Sequence, residues 1–191
     1  MVIFTSFTVI AAIHYDKQVI AHIGLVGAYA VPFLLSEGSG QVSVLFGYMA
    51  IINIGILFIA FKKYWKLLYY FAFLLSWIIY LSWYSFDFKD LYHYNIAFIF
   101  LSIFFLTFYV VFLAYKLVQK EKFEAKDIIF VLINSFIFYG VGYSLLAGHI
   151  QQNQWSGLFT LANACIHFIA AFTIFRLNLS DKNLFYFLTG I

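Results

Sequence analysis

The polar side chains best placed for chemistry in this sequence lie within otherwise apolar stretches. His167 carries an ionisable imidazole at the centre of one such stretch, and Asn163 and Thr160 precede it by four and seven residues. This spacing places all three side chains on one face of a helix. Imidazole, amide and hydroxyl groups in this arrangement can bind a ligand or line a path for a polar molecule, or they can form hydrogen bonds between helices.

Further amide and imidazole side chains are predicted at a similar depth on other helices. At 1.5 Å per residue, Asn53 and His167 each lie about 3 Å from the centre of their stretch toward its basic end, and Asn134 about 5 Å. We therefore predict an intramembrane polar layer that lines a cavity or substrate path, with hydrogen bonding between helices as the alternative. Its members are His167, Asn163, Asn53, Asn134 and, nearer the basic end, His22.

A loop with two carboxylates and an imidazole is the second candidate. It contains Asp87, Asp90 and His93, and His149 is predicted on the same side of the chain. Oxygen and imidazole ligands can bind a divalent metal or a polar head group, but the spacing matches no metal signature and helix capping explains these residues equally well. The sequence also lacks the P-loop, GxGxxG, HExxH and GxSxG motifs. We therefore assign no metal, cofactor or catalytic residue.

The apolar composition of the chain indicates which kind of secondary structure holds these side chains. Of the 191 residues, 65% are hydrophobic and only 10% are charged, whereas a soluble domain has about 25% charged residues. The sequence therefore predicts a membrane protein. Its net charge of only +3 argues against a nucleic-acid partner, and its single cysteine, Cys165, excludes a disulfide within the chain.

Long apolar runs predict an all-α, polytopic bundle of transmembrane helices. A helix needs about 20 apolar residues to cross a hydrocarbon core of roughly 30 Å, and these runs lack the alternation of barrel strands. One helical region, 1–191, is expected to contain six complete spans: 18–35, 41–61, 67–86, 95–115, 127–148 and 155–175. Shorter runs at 1–13 and 184–191 are expected to be truncated helices. Membrane lipids and the remainder of a longer polytopic chain are the expected partners.

Basic residues alternate between the predicted loops. Ten of the eleven lie in the loops 14–17, 62–66, 116–126 and 176–183, and only Lys89 lies in an opposite loop. Because Lys and Arg in short loops stay in the cytoplasm, these four loops are predicted to be cytoplasmic. The acidic residues are all expected in loops or at helix ends, which disfavours a carrier coupled to protons or cations.

An internal similarity suggests a repeat. A shift of 114 residues aligns the second predicted span with the sixth, with Asn53 on His167 and Lys62 on Arg176. This period covers four spans and predicts a parallel four-helix repeat, with chance similarity between apolar runs as the alternative. Two small residues of the fifth span, Gly140 and Gly142, are expected to permit close helix packing.

Six stretches of the sequence are distinctive: Ile10–Asp16, Ile23–Ser36, Gly38–Gly40, Leu57–Lys63, Asn134–Tyr143 and Asp181–Asn183. In these stretches the chain resembles the bacterial membrane proteins grouped as domain of unknown function 2339. Members of that family are longer and have many repeated spans. The resemblance implies a bacterial cytoplasmic (inner) membrane location, and it supplies no activity, substrate or catalytic residue.

Two classes of function remain open from the sequence. The polar layer and the predicted repeat favour a transport-like or binding protein for a small hydrophobic or lipid-linked molecule. The alternative is a non-catalytic membrane scaffold that organises partners in the cell envelope. A membrane-embedded enzyme is the third and least favoured class, because no acid, base and nucleophile are predicted to converge.

Overall fold

The computed structural model describes residues 7, 11, 14–34, 41–123, 125–147 and 152–179, and this part of the chain contains helices and no β-strand. The all-α class predicted from the sequence is therefore confirmed. The six helices of the described part follow one another in chain order: α1 (Gln18–Leu34), α2 (Val42–Lys62), α3 (Lys66–Phe86), α4 (Asp90–Gln119), α5 (Ala125–Ala147) and α6 (Gln152–Arg176).

Five of these helices, α2 to α6, are long and apolar enough to cross a membrane. The predicted count of six complete spans is one too high for the described residues. The remaining helix, α1, is the shortest of the six at 17 residues, which is at the lower limit of the roughly 17–25 residues of a spanning helix. The truncated helices predicted at 1–13 and 184–191 lie outside the described residues, apart from residues 7 and 11, which are helical.

The chain divides into two compact units, Met1–Val111 and Phe112–Ile191. In the first unit, α1, α2 and α3 pack against one another. Its core is aromatic: the fully buried ring of Phe46 on α2 has its centroid 5.4 Å from that of Tyr80, 5.1 Å from that of Trp83 and 5.9 Å from that of Phe104. Because Tyr80 and Trp83 lie on α3 and Phe104 on α4, this cluster joins three helices. The Tyr80 hydroxyl also donates a hydrogen bond to the Ala97 carbonyl on α4 (2.8 Å).

In the second unit, α5 and α6 pack against each other in opposite directions. Phe138 of α5 lies beside Phe159 of α6, with a centroid distance of 5.1 Å, and the Tyr139 ring is stacked on Phe159. The Tyr139 hydroxyl is 3.2 Å from the hydroxyl of Thr160. These neighbouring pairs fix which residues of the two helices lie at the same level.

The connection between α4 and α5 differs from the sequence prediction. The predicted loop begins at residue 116, but α4 continues to Gln119, and Lys116 in its last turn is buried. Lys116 forms a salt bridge with Asp127 of α5 (2.7 Å) and donates a hydrogen bond to the Lys122 carbonyl (2.6 Å). These two partners explain why a basic residue assigned to a solvated loop is instead buried, since a buried ammonium group needs a compensating charge.

A glycine of α5 allows the close approach of α6. A Cβ atom at Gly142 would overlap the ring of Phe159, whereas one at Gly140 would meet nothing within 4 Å. The expected role in close packing is therefore confirmed for Gly142, and Gly140 lies beside open space.

We expect Gly142→Ala to destabilise the protein by about 1–3 kcal/mol, as overpacking of a filled interface usually does. Phe159 cannot swing aside freely, because it is buried between Phe138 and Tyr139. The matched control, Gly140→Ala, should change stability by no more than about 0.5 kcal/mol. Unfolding of both variants by titration with a denaturing detergent measures the difference. Equal stabilities would show that α5 and α6 are not in close contact at Gly142.

Candidate functional site

The predicted polar layer is divided between the two units, and in the first unit it forms a hydrogen-bonded network. Asn53 of α2 is fully buried, as is Ser76 of α3, and Tyr29 of α1 is nearly so. The Tyr29 hydroxyl donates to Asn53 Oδ1 (2.5 Å), Asn53 Nδ2 donates to Ser76 Oγ (2.9 Å), and Ser76 Oγ lies 2.6 Å from the Tyr29 oxygen. Three side chains from three helices are thus joined, and we call them the Tyr29–Asn53–Ser76 network.

This network is closed on itself. The Tyr29 hydroxyl donates its proton to Asn53, and the Asn53 amide donates one to Ser76. The Ser76 hydroxyl therefore donates to the Tyr29 oxygen, so each hydroxyl donates once and accepts once. Such a cycle leaves little capacity for a ligand, which favours hydrogen bonding between helices as the role of Asn53. Sequence reasoning selected Asn53 and missed Tyr29 and Ser76. The available signal for Ser76 was a hydroxyl in the middle of an apolar span.

His22, the other predicted member in the first unit, lies one turn into α1. Its Nδ1 is 2.9 Å from the carbonyl of Gln18, and its ring is edge-on to Phe71 of α3. Its Nε2 is buried and has no hydrogen-bond partner among the described residues. These contacts of His22 do not include the Tyr29–Asn53–Ser76 network, and its membership of the polar layer stays a prediction.

In the second unit the predicted members are Asn134 on α5 and Asn163 and His167 on α6, and all three are buried. Tyr139 of α5 and Thr160 of α6 are neighbours. Asn134 precedes Tyr139 by five residues, and Cys165, which lies between Asn163 and His167, follows Thr160 by five residues. The rise of 1.5 Å per residue therefore places Asn134 level with this pair. Whether Asn53 joins them in one cavity stays a prediction, because Asn53 belongs to the first unit.

An open groove of about 470 Å³ lies along α5 and α6 in the second unit. It is a shallow depression that is wide open to its surroundings. Sequence reasoning did not find this groove, because it depends on how two helices pack. It is lined by Tyr143, Ser156, Gly157, Thr160, Leu161 and Ala164.

Hydroxyl groups make this groove different from a purely hydrocarbon surface. Thr160 Oγ1 donates to the Ser156 carbonyl (2.9 Å), and the side chain of Thr160 is exposed in the groove. Trp155, one residue before the groove, is half exposed. Tryptophan is a residue typical of membrane interfaces.

The loop predicted to hold Asp87, Asp90 and His93 is shorter than expected, because α4 begins at Asp90 and includes His93, which caps the start of this helix. The backbone N–H of Lys89 donates to His93 Nδ1 (3.1 Å), and the His93 ring packs against Trp83. Among the described residues, no group of three or more His, Cys, Asp or Glu side chains gathers where a metal ion could bind. His149, predicted on the same side of the chain, lies outside the described residues.

Comparisons with known proteins find one family. A family model described as "Predicted membrane protein (DUF2339)" matches residues 1–186. The search of curated proteins and the search of solved structures each found no match. The family description states a membrane location and no reaction, ligand or partner.

Proposed function

Because the chain belongs to the DUF2339 family of predicted membrane proteins, we propose that it is a multi-pass protein that binds a hydrophobic or lipid-linked molecule in the groove between α5 and α6. The single observation that supports this proposal is an open groove, lined by hydroxyls and apolar groups, on helices that can span a membrane. A molecule of the bilayer can enter such a groove sideways without leaving the hydrocarbon phase.

The positions of the basic residues support a particular orientation of the helices in the membrane. With the basic loops in the cytoplasm of a bacterial inner membrane, Arg176 marks the inner end of α6 and Trp155 its outer end. The groove, which extends from Ser156 to Ala164 along α6, then lies in the outer half of the membrane. Its occupant would come from the outer leaflet.

Photolabelling tests the proposal directly. The probe is 1-methoxyhexadecane with a diazirine in its chain, added to the purified protein in lipid nanodiscs, and the labelled peptides are identified by mass spectrometry. We expect labelling of α5 and α6 beside the groove, and we expect excess unlabelled ether to compete for it. Contact with bulk lipid alone is not saturable.

Two tryptophan substitutions on α6 give a matched comparison. Ala164 lines the groove, whereas Ala162 is exposed and does not line it. Ala164→Trp fills the groove and should reduce the competed labelling by about tenfold, a change that corresponds to roughly 1.4 kcal/mol. Ala162→Trp adds the same bulk on another face and should leave it unchanged. Labelling that no competitor reduces, or that both variants reduce equally, would refute the proposal.

A membrane scaffold is the second candidate function. It is favoured by an apolar face of α6, whose residues Phe168, Ile169, Phe172 and Phe175 are all exposed, because exposed apolar surface of this kind can pack against helices of another protein. Unsaturable labelling together with co-purification of a membrane protein through this face would support the scaffold.

A further inference from the structure

Two short connections lie side by side at one end of the first unit. One, 62–66, joins α2 to α3, and the other, 14–17, precedes α1. A salt bridge between Lys63 Nζ and Asp16 Oδ1 (2.8 Å) holds them together. The two connections contain four lysines and a single carboxylate, that of Asp16. We call these lysines the first-unit lysine cluster: Lys17, Lys62, Lys63 and Lys66.

A buried tyrosine of α3 fixes the shape of the connection 62–66. The Tyr69 hydroxyl donates a hydrogen bond to the Lys63 carbonyl and accepts one from the backbone N–H of Trp65 (3.2 Å). The backbone N–H of Lys63 donates to the Ile59 carbonyl of α2 (2.8 Å). The backbone that carries three of the four lysines is therefore held in place before any ligand binds. Such preorganisation reduces the entropy that is lost on binding.

The first-unit lysine cluster is placed at the level of lipid head groups. Lys62 is the last residue of α2 and Lys66 is the first of α3, and both helices are long and apolar enough to cross a membrane. Their connection then lies at the membrane surface. Tyr64 and Trp65 within it are half-buried, as is typical of aromatic residues at this interface. Lys66 Nζ lies 4.6 Å from the centroid of the Tyr64 ring, which keeps this ammonium group at the same level.

The cluster retains an excess of positive charge that can reach a ligand. Lys17 and Lys62 are exposed, and Lys63 is 31% exposed although it forms the salt bridge. The Asp16 carboxylate can balance only one of the four ammonium groups. Lysines grouped beside a transmembrane helix attract anionic lipids.

The connection between α4 and α5 shows that not every basic connection has this property. Its Lys116 is buried against Asp127. Lys120 and Lys122 are exposed, but they flank the carboxylate of Glu121. The excess of positive charge is therefore smaller there than in the first-unit lysine cluster.

We propose that the first-unit lysine cluster binds the head group of an anionic phospholipid, with its phosphate at the ammonium groups of Lys62 and Lys66. A lipid fits better than a free phosphate ion, because Phe61 and Leu67, the neighbours of these two lysines in the sequence, are exposed apolar residues that acyl chains can contact. This site belongs to the first unit, and it does not depend on the groove between α5 and α6.

Native mass spectrometry of the full chain in micelles of a neutral detergent tests the proposal. The protein is titrated with dimyristoyl phosphatidylglycerol or with dimyristoyl phosphatidylcholine, which share their acyl chains and differ in net charge. We expect the anionic lipid to bind its tightest site about tenfold more strongly than the neutral lipid, a difference of about 1.4 kcal/mol. Excess inorganic phosphate should displace the anionic lipid no more than sodium chloride of the same ionic strength does. Equal affinity for the two lipids, or specific displacement by inorganic phosphate, would overturn the proposal.

A double variant and its matched control locate the site. Lys62→Gln with Lys66→Gln leaves the salt bridge of Lys63 in place and should weaken binding of the anionic lipid by about 25-fold. This is about fivefold for each lysine, which corresponds to about 1 kcal/mol. Unchanged binding of the neutral lipid shows that the variant is folded. Lys120→Gln with Lys122→Gln removes two exposed lysines of the second unit and should leave the affinity unchanged. Equal losses in the two double variants would show that only net charge matters and would overturn the site.

The variant Asp16→Asn should change the affinity in the opposite direction. The backbone of Asp16 has a φ of 51°, in the left-handed region that asparagine also adopts readily. The variant therefore removes one negative charge and releases Lys63 without new backbone strain. Binding of the anionic lipid should become about fivefold stronger, by the same contribution per charge. A misfolded variant would not show such a gain, and unchanged or weaker binding would contradict the role of the first-unit lysine cluster.

Discussion

Replacement of Lys116 by methionine is expected to lower the free energy of unfolding by about 3–5 kcal/mol, because it leaves the buried Asp127 carboxylate without its counter-charge. The two side chains are only 6% and 3% exposed. The substitution also removes the hydrogen bond from Lys116 Nζ to the Lys122 carbonyl. Equilibrium unfolding in mixed micelles of lipid and denaturing detergent measures the loss.

Two further variants show whether burial is the cause. The salt bridge between Lys63 and Asp16 has a similar length, 2.8 Å, but its side chains are 31% and 65% exposed, so Lys63→Met should cost no more than about 1 kcal/mol. The double variant Lys116→Met with Asp127→Leu should regain much of the stability, because an apolar pair can replace a buried ion pair. Similar losses for Lys116→Met and Lys63→Met would contradict the burial of the first pair.

Replacement of Phe46 by alanine is expected to cost about 3 kcal/mol, near the lower end of the range for a buried phenylalanine. The lower end applies because an unfolded transmembrane helix leaves this ring in lipid, so the main loss is that of close packing. The empty space would open at the centre of the aromatic cluster, between Tyr80, Trp83 and Phe104.

Phe58 provides the control for this effect on the same helix. It lies on α2 and is 67% exposed, whereas Phe46 is fully buried. Phe58→Ala should change stability by about 0.5 kcal/mol or less. The two variants can be compared by detergent unfolding followed through tryptophan fluorescence, since Trp83 contacts Phe46. If both substitutions have the same effect, the cluster does not hold the first unit together.

The helices could be predicted from the sequence because every transmembrane span must meet the same physical requirement. The chain must bury every backbone polar group over about 30 Å, so length and apolarity alone indicate where α2 to α6 lie. The end of α4 could not be found in this way. Lys116 has the composition of a loop residue, and its burial depends on Asp127, which follows it by eleven residues and belongs to another helix.

The contacts of the candidate site residues could likewise not be predicted from the sequence. Depth along a span predicts that Asn53, Asn134, Asn163 and His167 lie in one layer, but depth does not specify which neighbour a side chain meets. The partners of Asn53 are a tyrosine and a serine. Both residue types are frequent, and because they lie on other helices no fixed sequence spacing relates them to Asn53. The groove depends on Gly157 and Ala164 being small where α6 passes Tyr143, and only the packed pair of helices reveals that space.

The link between the α4–α5 connection and the end of α6 has a consequence for the order of events during synthesis. The backbone N–H of Phe123 donates to the carbonyl of Leu179 (2.8 Å), which follows it by about 56 residues. At roughly 5–20 residues per second, a ribosome needs about 3–11 s to reach that partner. Until Leu179 has been translated, the amide of Phe123 must be hydrated or bound elsewhere. The second unit therefore completes its backbone hydrogen bonds only after α6 has been translated.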